Sequence, residues 1–366
     1  MWIFSRSIIW IYDRTEEPSA AGLDRSEIWE SKMTISKLGK TVLATALAGA
    51  VMAAAASAET LRLSHNTGDT TTWHKGAEKF AELIADATGG DISVRIFPNA
   101  QLAGGDQMRQ AEMTGRGALD LVVTSAINVT PLVPEMAVFS LPYLYSDYDQ
   151  VDATTQGAPG EKLAAILKEK GIIVLAWGEN GFREVTNNSR PVKTPEDMKG
   201  LNMRVAGPMY IDVMNALGAN PQQMQWSETL TALQQGVVDG QENPIGAVII
   251  PQQVYEVQKY LTTWHYSYDP IFIGISQKKW DSYDAEIQAK LKAAADEAMA
   301  YQRQISRDAT ASGIDFLREK GMEVYEPTAE ELAAFKAATQ PAYDEWAAKV
   351  GPELVQAFED AISGAE

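Results

Sequence analysis

Apolar residues recur along the chain with two different periods. LRLSH (61–65) alternates and predicts a strand. Trp73, Ala77, Phe80 and Ile84 follow at steps of four, three and four, the stripe of an amphipathic helix. Thr70 to Thr72 can cap that helix, and Gly89-Gly90 stops it. DISVRIF (91–97) alternates again, with Ile92, Val94 and Ile96 on one face. A short helix around 105–115 and the strand ALDLVVT (118–124) complete a β-α-β-α-β run, which predicts a mostly parallel sheet covered by helices.

The pattern then repeats. GIIVLAW (171–177) reads as a buried strand, and Thr194-Pro195-Glu196-Asp197 as a helix start with a cap, a first-turn proline and acids. LNMRVA (201–206) is a strand, and helices at about 208–217 and 227–235 end at Gly218 and Gly236. Within 284–319, Ile287, Leu291, Ala294, Ala298, Tyr301 and Ile305 fall at helical steps with no proline between them. A continuous helix there would be roughly 50 Å long at 1.5 Å per residue. Its Ala-rich seam favours close packing against its own chain over a coiled-coil dimer. The fold class expected is α/β with two lobes, and ligand sites tend to sit in the cleft between lobes.

The N-terminus changes the count. MTISKLGKTVLATALAGAVMAAAASAET (33–60) has a basic n-region at Lys37 and Lys40, a small-residue apolar stretch and an A-x-A site at Ala56-Ser57-Ala58. These are the three parts of a secretory signal peptide cleaved after Ala58. Residues 1–32 precede a complete signal, so they are expected to be an upstream extension with Met33 the real start; the alternative is a genuine extension, which would bury the n-region inside the chain. Residues 1–58 hold six basic and six acidic side chains, so the remaining 308 residues keep the whole chain's net charge of −18.

That charge argues against nucleic acid and against anionic lipid as partners. The chain has no cysteine, which excludes thiol nucleophiles, disulfides, Cys-ligated zinc and a lipid-anchored N-terminus. Its three histidines (His65, His74 and His265) form no HExxH. No GxSxG, GxGxxG or P-loop is present. An exported chain without cysteine suits a periplasmic protein that needs no disulfide.

Arg204 stands out among the polar residues. On an alternating strand, Leu201, Met203 and Val205 take the core face, leaving Asn202 and Arg204 on the other. Arg204 lies near the strand's carboxyl end, which in open α/β sheets faces the ligand crevice. A guanidinium there matches a carboxylate with two parallel hydrogen bonds. The plain alternative is a solvated strand-end arginine. Arg183, after Gly181, is a second guanidinium suited to an anion, or else a surface partner of Glu184. Asn243 before Pro244 can donate its amide to a carboxylate, or can serve an Asx turn. Trp73, Trp226, Tyr266 and Tyr268 can wall a pocket or fill a core. Trp226, placed in a loop before a Ser227 cap, is the one expected to face a cleft.

The run MKGLNMRVAGPMYIDVMNALGANPQQMQWSETLTALQQGVVDGQENP (198–244) resembles the extracytoplasmic solute receptors of tripartite ATP-independent periplasmic (TRAP) transporters. GAEKFAELIADATGG (76–90), FPNAQL (97–102), FSLPYLY (139–145), NGFREVTN (180–187) and VYEVQKYLT (254–262) extend the resemblance over essentially all of 59–366. The resemblance implies a two-lobed binding protein with a long helix spanning both lobes. The first lobe would be 59–180 plus 269–308, and the second 181–268 plus 309–366. It implies capture of a small organic acid in the periplasm and delivery to small and large membrane subunits driven by a sodium gradient. It implies a monomer with no catalytic role and no cofactor.

Carried onto this chain, the resemblance makes Arg204 the carboxylate clamp, Arg183 the second ligand arginine, and Asn243, Asn66 and Trp226 further contacts. Thr124 and Ser125 fall at first-lobe pocket positions where some relatives have an acidic residue that reads ligand hydroxyls; its absence argues against a sialic-acid-type ligand. Ala206 replaces the proline often found after R-V. The Glu-Trp pattern of the metal-binding branch is missing, so no metal is expected. Monocarboxylates or dicarboxylates fit the arginines, while Trp73, His74, Trp226, Tyr266 and Tyr268 lean the choice towards sugar acids. The competing classes are a receptor for an ABC importer, a periplasmic enzyme and a ligand-sensing partner of a signalling receptor.

Overall fold

The computed structural model describes residues 58–365. The expected signal peptide and upstream extension lie outside the described residues, apart from Ala58. In chain order the elements are β1 (Glu59–His65), α1 (Thr72–Ala87), β2 (Ile92–Phe97), α2 (Gln107–Gly115), β3 (Leu121–Ser125), α3 (Tyr148–Thr155), α4 (Ala158–Glu169) and β4 (Ile172–Phe182). Next come β5 (Glu184–Asn187), β6 (Asn202–Val205), α5 (Pro208–Ala216), β7 (Asn220–Gln223), α6 (Trp226–Gln234), β8 (Gly240–Asn243), β9 (Tyr260–Thr262) and β10 (Tyr268–Ser276). The chain continues with α7 (Gln277–Trp280), α8 (Ala285–Ala311), α9 (Gly313–Glu319), β11 (Glu323–Tyr325), α10 (Ala329–Val350) and α11 (Pro352–Ser363).

Two sheets result, as the two rounds of alternation predict. The first has the order β2-β1-β3-β10-β4, and the second β11-β9-β5-β8-β6-β7. In the first, β1 runs parallel to β2 and β3, while β10 is antiparallel to both β3 and β4. The chain passes between sheets at Arg183, which separates β4 from β5, again between β9 and β10, and a third time between β10 and β11. Gly181 sits at φ 120°, a conformation other residues rarely adopt, just before the first crossing.

The long helix departs from expectation in two ways. It ends at Ala311, which makes it about 40 Å long. The Ser312 hydroxyl turns back to the carbonyl of Asp308, and Gly313, a poor helix former, follows as the first residue of the separate helix α9. The buried seam is Leu291, Ala294, Ala295, Ala298, Met299, Gln302 and Ser306. Tyr301, expected on the seam, is exposed. A strict 3.5-residue repeat drifts around a straight 3.6-residue helix, so the inner face moves to Gln302 and Ser306.

The small residues allow close packing of α8 on α1, on β4 and on residues 245–249. Gly246 is required there: a Cβ on it would stand 2.4 Å from the Ser306 carbonyl. Gln302 braces the same helix to β4, taking the Glu179 N–H at 2.8 Å and donating to the Glu179 carbonyl at 2.7 Å.

The helix start expected at 194–197 is only a 3-10 turn, Pro195–Met198, closed by a capping box between Thr194 and Asp197. The last helix, α11, grouped with the second lobe by the resemblance, packs on α3 and α4, which flank the first sheet. Among the described residues no helix is long and apolar enough to cross a membrane.

Candidate functional site

β6 follows its alternation closely. Leu201, Met203 and Val205 are buried in one core with Val213 and Tyr210. Arg204 points the other way, yet only 1% of it is exposed, so it is not a solvated strand-end arginine. Its Nε and Nη2 donate to the Met224 carbonyl at 3.0 and 2.8 Å, and Nη2 lies 3.5 Å from Gln107 Oε1. Its guanidinium stands 5.5 Å from the centre of the Trp226 ring. Among the described residues it forms no ion pair, and its Nη1 donates to no protein group. Burial brings its pKa down to about 10, against the attraction of Glu242. A buried cation without a counter-charge is costly, and an incoming anion removes that cost.

Arg183 has the opposite status. It pairs with Glu242 through Nε and through Nη2 (3.0 Å to Oε1), donates to the Glu242 carbonyl at 2.7 Å, and reaches Asp269 from Nη1 at 3.1 Å. Burial opposes its charge, but Glu242 outweighs burial with help from Asp269, and its pKa lies well above the ordinary value. Tyr266 steadies the pair by donating to Glu242 at 2.8 Å. The expected surface partner, Glu184, instead faces His265 at 3.1 Å.

Both arginines line one cleft. Asn66, Thr67, Trp73, Gln107, Ser125, Asn128, Asn180, Ala206, Trp226, Asn243 and Val248 complete its wall. The space between these atoms, including solvent at its mouth, is about 300 Å³. The loop after β1 with α1, α2, β3 and β4 supplies one side, and β6, α6 and β8 the other, so the cleft lies where the two sheets meet.

Of the ten residues picked out from sequence, seven share this cleft: Arg204, Arg183, Asn243, Trp226, Asn66, Trp73 and Ser125. Three do not. Thr124 alternates with Ser125 on β3, so it faces away, opposite Phe272 in the register with β10. Tyr268 is buried between the Tyr145 and Phe182 rings, and its hydroxyl donates to Glu179 at 3.2 Å. His74 sits one residue past Trp73, and its Nδ1 contacts His65 Nε2 at 2.9 Å, outside the cleft. Trp226 is also not a loop residue. Gln225 takes the N-cap position, and Trp226 opens α6 with 6% of its surface exposed.

Asn243 is committed differently from expectation: its Nδ2 donates to Gln241 at 2.5 Å, and its Oδ1 accepts from Arg183 at 3.2 Å. Gln107, Thr67, Asn128, Asn180 and Val248 were not picked out from sequence. Gln107 Nε2 donates to Asn128 at 2.8 Å. Asn180 joins the Trp73 indole N–H, at 3.1 Å, to Asp269, at 2.9 Å.

The sequence model of bacterial extracellular solute-binding protein family 7 (DctP) matches residues 63–349. The chain belongs to this family. The C4-dicarboxylate-binding periplasmic protein DctP of Rhodobacter capsulatus is 36% identical over 330 residues, covering 89% of this chain and 98% of that one. A TRAP periplasmic solute-binding protein of Ralstonia eutropha H16, solved with (S)-2-acetolactate, superposes with a TM-score of 0.81 at 38% identity, covering 83% of this chain and 99% of the other. The sugar acid binding protein DctPAm of Advenella mimigardefordensis, solved with galactonate, also gives 0.81, at 31% identity over 84% of this chain and 99% of the other. The fold is therefore that of the family 7 solute-binding proteins, two α/β lobes with a cleft between their sheets.

Proposed function

We propose that this chain is the solute receptor of a TRAP transporter, exported to the periplasm with its signal peptide cleaved after Ala58. It captures a small organic acid between its lobes and delivers it to the small and large membrane subunits. It does so as a binding protein, without a catalytic step or a cofactor. The observation that carries the reading is Arg204, a buried guanidinium that faces the cleft with no carboxylate of its own.

The relatives support it. Proteins of the same fold at 31 to 38% identity hold galactonate and acetolactate, both carboxylates. Arg204 acts as the clamp, with Trp226 beneath its guanidinium. Arg183, held by Glu242 and Asp269, shapes the wall and presents what remains of its fork. Asn66, Asn243, Trp73 and Ser125 bound the guest. A ligand that touches both sides binds the closed form better than the open one, and that difference alone drives closure. Excluding water then strengthens the ion pair.

A thermal-shift screen of the secreted protein against sugar acids, C4-dicarboxylates, 2-oxo acids and aromatic acids tests the reading. A stabilising acid whose effect disappears in Arg204→Ala supports it. A flat response from folded, ligand-free protein overturns it.

A further inference from the structure

A carboxylate behind the cleft wall gathers groups from three parts of the chain. Asp269 lies on β10, is fully buried, and is not itself part of the lining. Its Oδ2 accepts from Asn180 Nδ2 at 2.9 Å and from Arg183 Nη1 at 3.1 Å, and its Oδ1 accepts the Ile127 N–H at 3.3 Å. Asn180 and Arg183 line the cleft, and Ile127 directly precedes Asn128, which also lines it.

Strand pairing explains why Asn180 is within reach. Asp269 stands opposite Gly181, while the next residue, Pro270, stands opposite Glu179. Asn180 is therefore the extra residue of a bulge, and a bulge re-aims a side chain out of the regular alternation. Pro270 suits that position because it has no N–H to pair.

The Asn180 amide is then used at both ends. Its Oδ1 takes the Trp73 indole N–H at 3.1 Å, and its Nδ2 goes to Asp269. An ionised carboxylate only accepts, so the amide cannot turn over without setting oxygen against oxygen. Asp269 thus selects which end of Asn180 meets Trp73. Glu242 already fixes the plane of Arg183, so the distinct contribution of Asp269 is to Asn180, Trp73 and the turn at Ile127.

We propose that Asp269 is a positioning residue, a buried carboxylate outside the lining that presets Asn180, Trp73 and the turn carrying Asn128 before a guest arrives. The inference rests on the solute-pocket reading above. Charge and position make opposite predictions here. As a charge alone, Asp269 would oppose an anionic guest, and its removal would tighten binding. As a positioning group, its removal weakens binding, because the guest must then order the wall itself.

The test is calorimetric titration of secreted wild type, Asp269→Asn and Asp269→Ala at neutral pH. The probes are galactonate, D-erythronate, D-glucuronate, succinate and (S)-2-acetolactate, acids held by solved relatives. Asp269→Ala is expected to bind the best of them at least about 10-fold more weakly, or about 1.4 kcal/mol. Asp269→Asn keeps an oxygen for Asn180 and Arg183 and lifts the repulsion, so it is expected to bind close to wild type or tighter. If Asp269→Ala does not fold, Asp269→Ser, whose hydroxyl falls short of Asn180, takes its place with the same expectation. An Ala or Ser variant that binds as tightly as wild type overturns the inference and leaves the pocket standing. So does an Asn variant as weak as these, which would assign the loss to something other than the lost acceptor. Failure of all the acids to bind wild type overturns the pocket reading and this inference together. The Trp73 indole N–H resonance, identified by its loss in Trp73→Phe, gives a readout without ligand. It is expected to move in the Ala or Ser variant and to stay near its wild-type position in Asp269→Asn. A resonance unmoved in every variant breaks the link through Asn180 and overturns the inference.

Discussion

Gln107, at the start of a helix beside the first sheet, accepts the backbone N–H of Trp226, which opens a helix beside the second, at 2.6 Å. The link is reciprocal, because the Gln107 N–H donates to the side chain of the preceding Gln225 at 3.0 Å. The same Gln107 oxygen lies 3.5 Å from Arg204. One residue therefore joins the two sides of the cleft and touches the unpaired guanidinium.

Gln107→Ala removes the side-chain half of this link. Affinity for the bound acid is expected to fall about 10-fold, close to the 1.4 kcal/mol of one lost hydrogen bond to a buried group. Calorimetric titration checks it. An unchanged dissociation constant would show that the link forms without aiding closure.

The long helix is fixed to β4 through Gln302, which pairs with both backbone groups of Glu179. Gln302→Ala strands a buried N–H and a buried carbonyl. The expected cost is about 3 kcal/mol of stability, from two unsatisfied groups at roughly 1–3 kcal/mol each. Denaturant unfolding measures it, and a loss under about 1 kcal/mol would mean that water replaces the side chain.

Much of this arrangement is legible in the sequence. The alternation of 201–206 predicts which side chains enter the core and leaves Arg204 opposite them, as found. The 284–319 stripe predicts a long helix but not its end, because the break depends on Ser312 back-bonding and on the packing of Gly313 against Ile245. Strand pairing decides between Thr124 and Ser125, since neighbours on a strand face opposite ways. Gln107, Asn128 and Asn180 carry no periodic signal. They are single amides on separate elements around the first sheet, brought together only by its tertiary packing. Tyr268 misleads for a similar reason: an aromatic near a strand end fits a core or a pocket equally well until its neighbours are known.

His65 predicts a pH dependence. Burial first, and then the neighbouring His74, lower its pKa from 6.5 to about 3. The unfolded chain takes up a proton near pH 6.5 while the folded one does not, so stability falls as pH drops below 6.5, and the loss continues towards pH 3. Between pH 7 and pH 5 the expected contribution is about 2 kcal/mol, at 1.36 kcal/mol per unit. Unfolding free energies of wild type and His65→Gln at the two pH values test it. The wild type should lose more than the variant; equal losses would refute the assignment to His65.

The central claim is that Arg204 awaits the ligand's carboxylate. Its most direct test is calorimetric titration of the best acid from the thermal-shift screen into wild type, Arg204→Lys and Arg204→Ala. At 100 times its dissociation constant that acid should add about 2.7 kcal/mol to the wild type, a shift of several degrees. Binding should be lost in Arg204→Ala and only partly kept in Arg204→Lys, whose ammonium restores the charge but not the fork, with the ligand-free fold intact in both. Wild-type affinity in Arg204→Ala would contradict the account.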